Sequence, residues 1–405
     1  MKGFGILIQD TIILFLQVCL CSVSVAQLVV LDNEQIFGGL LEMSSQMPSM
    51  NSVLERDWVS DTLTVDSILE NHDIYSTVNA GHRLRPFNAV LGYVTPWNSR
   101  GYDISKMFLG KFTHIAPLWY RIKRLNGKFI LDGAHDVDQQ WMNQVRQPDR
   151  QGKRALVLPL FQVSEFTQTD WMALIQDLSV TKNLLSVLTK EVMLHGFDGL
   201  VIEMSVPGRY IVHIIKQLYL DLTKLNKQLI LVIPPRHIHM DSDVFDANDF
   251  TNLVSFVDYF SLMTYDYSQS KGNGPNSPIG WIEENIRRLC PDKTLRSKLL
   301  TGSNMYGYDF DHVTFNSEPL VGSKYISLLK EKNVILQWDS QSHEHHFTYT
   351  DDANHKHSVY YPTLKSFHDR LSLASNSGTG VAIWELGQGL DYFVSVLTLI
   401  GVTIN

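Results

Sequence analysis

The run Phe197–Ser205 reads FDGLVIEMS and carries Asp198, Gly199, Val201, Glu203 and Ser205. It is short and apolar enough to be a buried strand, and side chains two apart on a strand share a face. Val201, Glu203 and Ser205 are therefore expected to form one row. General acid–base chemistry needs a group that titrates near the working pH and lies within hydrogen-bond reach of the reacting atom. Glu203 is the only such group in this row, because a serine hydroxyl is no acid at physiological pH. Other chemistry-bearing residues close other apolar runs: Tyr93 and Trp97, then Trp119, then Met263, Tyr265 and Asp266, then Trp384 and Glu385, with Tyr306 nearby. His343, Glu344, His345 and His346, and His355 with His357, lack the H-E-x-x-H spacing of a helical metal site and read as a solvated turn. His237 and His239 read as part of a strand-end loop. No cofactor is expected.

The elements that must position these residues follow from texture. After Pro86, apolar segments bounded by Gly or Pro alternate with amphipathic ones. The segments are Ala89–Val94, Phe112–Leu118, Ala155–Phe161, Gly199–Ile202, Leu229–Ile233, Tyr259–Met263, Lys298–Thr301 and Gly380–Trp384. Such runs fit parallel strands buried on both faces. Val180–Leu194 and Tyr210–Leu225 carry apolar residues three and four apart, as helices do. Eight strands with helical crossovers predict an α/β fold, a (β/α)8 TIM barrel over 86–397, with reactive residues at the strands' C-terminal ends. The interval 309–377 is too long for one crossover and predicts a small α+β insertion between strands 7 and 8. Residues 27–85 read as a partly flexible N-terminal extension with a short helix at Thr62–Glu70, and Gly272–Pro278 reads as a loop over the barrel mouth.

Taken in order, VLGYVTPWN (Val90–Asn98), FTHIAPLW (Phe112–Trp119), FDGLVIEMS, SLMTYDYS (Ser261–Ser268) and IWELGQG (Ile383–Gly389) resemble the family-18 glycoside hydrolases, the chitinases and chitinase-like lectins. The similarity runs from about Leu54 to Phe393 and includes Trp281, Gln337–Gln341 (QWDSQ) and Tyr361–Lys365 (YPTLK). It looks most like the chitinase domain-containing subgroup of secreted saccharide-binding proteins. The family's hallmark is Asp-Gly-x-Asp-x-Asp-x-Glu. Asp198 and Gly199 match its first positions, Val201 and Glu203 replace its two inner Asp residues, and Ser205 stands where the resemblance implies the catalytic glutamate. Glu203 lies roughly 6.5 Å deeper along a strand than that position, and one extra methylene adds only about 1.5 Å.

The resemblance therefore implies a protein without enzyme activity that binds chito-oligosaccharides or related microbial glycans, in pathogen sensing or innate immunity. It implies Trp384 as the floor of the cleft, with Met263, Tyr265 and Asp266 holding acetamido and hydroxyl groups. Tyr93, Trp97, Trp119, Glu203, Tyr306 and Glu385 complete the expected ligand set. Two alternatives stay open: a glycosidase with non-standard catalytic residues, and a protein that works through a scavenger or sorting receptor with a vestigial cleft.

The formal charge of −8 over 405 residues argues against sequence-independent nucleic-acid binding. Lys2, the apolar run Thr11–Val25 and the small residues Ser24-Val25-Ala26 predict a secretory leader at 1–26, too short to span a membrane. A secreted or lysosomal location follows, with no membrane span in the mature chain. Cys19 and Cys21 fall inside the leader, so Cys290 alone would remain, without an internal disulfide. There is no Asn-x-Ser/Thr sequon. Residues 398–405 are read as a tail.

Overall fold

Alternation within the apolar runs divides the core into two shells. In the computed structural model, Leu91, Tyr93, Ala116, Leu160, Val201, Ile230, Val232, Leu300 and Ala382 form an inner cluster. Val90, Val94, Ile115, Leu200, Ile202, Leu229, Leu231 and Val381 instead join the larger outer cluster with the helices. Each strand thus buries both faces, which is why its sequence reads as an unbroken apolar run. The structure describes residues 58–75, 87–149, 152–236, 244–269 and 272–397. The predicted leader, much of the extension, His237, His239 and the tail lie outside the described residues.

The strands are β1 (Val90–Val94), β2 (His114–Pro117), β3 (Tyr120–Leu125), β4 (Lys128–Asp132), β5 (Leu156–Val157), β6 (Leu160–Val163), β7 (Gly199–Glu203), β8 (Gln228–Ile233), β9 (Tyr259–Leu262), β10 (Leu299–Asn304), β11 (Gly307–Asp311), β12 (Ser317–Leu320), β13 (Gln337–Asp339), β14 (Glu344–Thr350), β15 (Lys356–Tyr360) and β16 (Gly380–Trp384). β2 with β3, and β5 with β6, are two broken barrel strands. β2 pairs with β5 and β3 with β6, both parallel. Parallel pairing continues through β7, β8, β9, β10 and β16 and returns to β1, which pairs with β2. The eight-stranded (β/α)8 barrel is therefore closed.

Helices cover its outside. In Gly208–Lys224 the buried residues Ile211, Ile214, Ile215, Leu218 and Leu222 recur three and four apart and face the barrel. Leu178–Leu194 repeats the pattern. Val65–Asn71 is the short helix expected near 62–70, starting one residue after Thr64, whose side chain caps it. Among the described residues no helix is long and apolar enough to cross a membrane.

Two features differ from expectation. β3 and β4 form an antiparallel hairpin that continues barrel strand 2 beyond the rim. Between barrel strands 7 and 8 lies a five-stranded sheet in the order β12-β11-β15-β14-β13. It starts at Gly307 and ends at Tyr360, with the helix Gly322–Glu331 inside the span. Leu364–Ser377, read from sequence as part of the insertion, is instead the crossover helix into β16, capped by Thr363 and ended by Gly378 at φ 77°.

Candidate functional site at the barrel mouth

Gly199 opens β7 where a Cβ would meet the Gln228 carbonyl oxygen at 2.1 Å, so β7 and β8 approach this closely only with glycine there. Asp198 precedes it at the barrel's lower end. It is tied to Arg146 (2.8 Å), Arg154 (2.7 Å) and the Val157 N–H (2.9 Å). Burial opposes its charge, but Arg154, the Val157 amide and Arg146 together hold its pKa below the usual range. Asp198 thus anchors the strand far from the mouth. Val201 is fully buried in the inner cluster.

Glu203 ends β7 and points into the mouth. Its register neighbour Gln162 donates its amide to both carboxylate oxygens at 3.2 Å. Dense protein around the carboxyl raises its pKa, and the Gln162 hydrogen bonds offset this only in part. Some of its surface stays open to solvent. Ser205 lies beyond the end of the strand, in the turn where Val206 N–H bonds to the Met204 carbonyl. The expected row of 201, 203 and 205 therefore stops at 203, because pairing with β8 ends at Ile202 and pairing with β6 at Glu203.

Several predicted residues converge around Glu203. Tyr93 packs tilted against Trp384 with ring centroids 5.1 Å apart, and its hydroxyl donates to Ser261 Oγ at 2.8 Å. The Glu203 charge reaches both Tyr93 and Tyr265. Tyr265 and Tyr306 form an aromatic cluster with Tyr308 and Phe310, against which Met263, Tyr360 and Trp384 pack. Asp266 sits in the left-handed region at φ 65°, with its N–H held by Asn276 Oδ1 at 2.7 Å. Its Oδ1 accepts from the Tyr306 hydroxyl and, at 2.9 Å, from Tyr308. Burial raises the pKa of Asp266 against these two hydrogen bonds. Its other oxygen faces no donor among the described residues.

Trp119 and Glu385 go elsewhere, and Trp97 stands in solvent at the barrel's C-terminal rim. Trp119 is 1% exposed in the outer core, packed on Trp141 and Phe197, with its indole N–H on the Tyr102 hydroxyl. Trp97 is 42% exposed in the turn after β1. Glu385 is wholly buried, accepting from Asn98 Nδ2 at 2.6 Å and the Gly387 N–H at 3.0 Å, and burial pushes its pKa up to about 8. The histidine run is no solvated turn. His345 is buried against Thr363, His343 pairs with Asp369, and His346 stacks on Tyr360. No group of three His, Cys, Asp or Glu side chains able to hold a metal occurs among the described residues.

Sequence reasoning missed Gln162, Tyr308, Asn276 and the pair Glu344–Arg370. Arg370 donates to Glu344 at 2.7 Å, while Glu344 accepts the Asn276 and Ser277 N–H groups at 3.0 and 2.6 Å. A buried ion pair on the insertion and the last crossover helix thus grips the loop that holds Asp266. Period-two alternation of Tyr306, Tyr308 and Phe310 is the signal that could have found Tyr308. Two surface concavities lie elsewhere, one of about 540 Å³ beside Lys106 and Gln140 and one of about 430 Å³ beside Glu283 and Arg287. Both run between solvated helix side chains and carry no aromatic face.

The cortical fragment-lytic enzyme of Bacillus anthracis is 24% identical over 163 residues, 38% of this chain and 37% of its own length. That of Bacillus subtilis is 28% identical over 150 residues, 35% and 34% of the two chains. The chain thus spans little more than a third of these relatives. Among solved structures, a chitinase from Chromobacterium violaceum superposes with a TM-score of 0.65 at 19% identity, covering 76% of this chain and 97% of that one. The Bacillus cereus spore cortex-lytic enzyme SleL gives 0.64 at 17% identity, covering 78% and 74%. These likenesses support the barrel fold. The expectation of a non-enzyme, drawn from Ser205, does not stand against curated relatives that are named as lytic enzymes. Ser205 still supplies no acid, and the carboxyl retained in that row is Glu203 at the end of β7. The pattern of the glycosyl hydrolases family 18 matches residues 89–389, so the chain belongs to that family.

Proposed function

We propose that the protein is a glycosidase that takes N-acetylated amino-sugar polymers into the barrel mouth and uses Glu203 as its proton donor. The carrying observation is the placement of Glu203: a carboxyl at the end of β7, partly open to solvent, with a raised pKa and near enough to Tyr93, the ring neighbour of Trp384, for its charge to be felt there. A general acid must be protonated near the working pH, and burial shifts this carboxyl in that direction. Trp384 offers an aromatic face to a sugar ring. The free oxygen of Asp266 accepts a ligand hydroxyl or amide N–H, while Tyr306 and Tyr308 fix the other oxygen. The names of the relatives, cortex-lytic enzymes and chitinases, support polymers of this class.

The resemblance to the secreted chitinase domain-containing subgroup supports microbial glycans as ligands, with export through the secretory pathway to the cell exterior or the lysosome. A receptor partner would be reached from there.

The test is release of reducing ends from chito-oligosaccharides and from spore-cortex fragments by the full chain. Glu203→Gln should lower the rate by about 10²-fold or more, with the melting curve retained. Activity should be greatest on the acidic side and fall as pH rises through the raised Glu203 pKa. No release from either polymer, or release unchanged in Glu203→Gln, sinks the reading.

A further inference from the structure

The hairpin β3–β4 places a cation at the mouth that makes no ion pair among the described residues. Register fixes its direction. Arg121 is paired with Gln162, and Gln162 with Glu203, so the three share one row across β3, β6 and β7. Gln162 and Glu203 turn their side chains to each other on the cleft side. The residues flanking Arg121 turn the other way. Tyr120 stacks on Phe161 at 4.3 Å and donates to Glu191 on a surrounding helix, while Ile122 is buried in the outer core. Arg121 therefore faces the cleft, and it is half-buried there.

Its neighbours are already matched. Lys123, two residues on along the same face, is held by Glu165 at 2.8 Å and Asp132 at 3.1 Å. Arg124 on the opposite face pairs with Asp170. Arg146 and Arg154 pair with Asp198, Arg100 with Asp391 and Arg370 with Glu344. Arg121 makes no hydrogen bond, ion pair or ring contact among the described residues. A half-buried guanidinium with five N–H donors and no acceptor is costly to keep unless something outside the fold uses it. The acids nearest it in register are already engaged: Asp132, its cross-strand partner on β4, by Lys123 at 3.1 Å, and Glu203 by Gln162 at 3.2 Å.

We infer that the mouth takes a saccharide bearing an anionic substituent, a carboxylate or a sulfate, and that Arg121 receives that group. This rests on the proposal that the mouth is a glycan cleft. A planar guanidinium binds either oxyanion through two parallel N–H donors, which lysine cannot reproduce. The anion lies on the side of barrel strands 2 and 3, across from the tyrosine cluster that meets the uncharged part of the ligand.

Calorimetry on the full-length protein separates the two ideas with three tetrasaccharide probes: uncharged chitotetraose, one containing muramic acid, and one carrying O-sulfate. The wild type should bind at least one anionic probe about ten- to hundredfold more tightly than chitotetraose, and the favoured probe identifies the anion. That ratio should shrink as salt rises, fall to near one in Arg121→Gln and stay intermediate in Arg121→Lys. A wild-type ratio near one, or a ratio unmoved by Arg121→Gln in a variant with an unchanged melting curve, overturns the role of Arg121 while leaving the glycan cleft standing. Failure of the wild type to bind any of the three removes both.

Discussion

Asp266 shows how a single side chain is prepared by its neighbours. Two tyrosine hydroxyls converge on one of its oxygens and leave the other without a donor among the described residues. Tyr308→Phe removes one donor and nothing larger than an oxygen atom. The remaining carboxylate loses a hydrogen bond worth about 1–3 kcal/mol to a charged group. The Asp266 pKa should rise further, and oligosaccharide affinity should weaken by roughly fivefold or more. Titration of chitotetraose binding against pH checks both, because the affinity profile should move to higher pH in the variant. An unchanged profile would mean that Tyr306 alone sets the charge of Asp266. Of the two, Tyr308 escaped the sequence reading for a simple reason. Tyr306 was visible as a residue after an apolar run, but only the fold of the insertion brings Tyr308 back over the barrel.

At the scale of elements, the legible part was whatever had both faces buried. The eight apolar runs became the eight barrel strands, since burial on both sides writes a continuous signal. The β3–β4 hairpin carries Arg121, Lys123, Arg124 and Lys128 and has much of its surface exposed, so its alternation was drowned by charge. The end of β7 was equally invisible. Nothing in Met204-Ser205 says that pairing stops at Glu203, and the role assigned to position 205 rested on extending the strand.

The clamp between insertion and barrel belongs to this scale too. Glu344 and Arg370 are each 4% exposed at the side chain and satisfy one another. Arg370→Leu leaves Glu344 buried without its cation, a loss of about 3–5 kcal/mol. Urea unfolding should show that loss, and the double variant Arg370→Leu with Glu344→Leu should recover part of it. Equal midpoints for single and double variants would show that the ion pair itself is dispensable.

For the whole molecule, buried carboxyls set how stability responds to pH. Glu385 has an ordinary pKa near 4.5 when exposed and one of about 8 in the fold, because burial disfavours its charge. The folded state therefore binds the extra proton between those values, and stability is fully present below the lower one and declines as pH rises through the upper. Asp198 acts in the opposite sense, its contribution being lost as pH falls below the usual carboxylate range. Glu385→Gln should remove about 3–5 kcal/mol of the decline between pH 5 and pH 8. Comparing urea midpoints of the two proteins across that window tests this. A wild-type and variant difference that is constant with pH contradicts it.

Barrel closure has a consequence for the order of events during synthesis. β1 can complete its pairing only with β16, its partner from the far end of the barrel sequence. Everything from β1 through Trp384 must leave the ribosome before the ring can shut, and contacts of such long range form slowly. Until then the strand edges of β1 and β10 stay open to other chains, the condition in which large domains aggregate and chaperones are needed. Trp384 arrives on that final strand, so a nascent chain acquires its barrel mouth last.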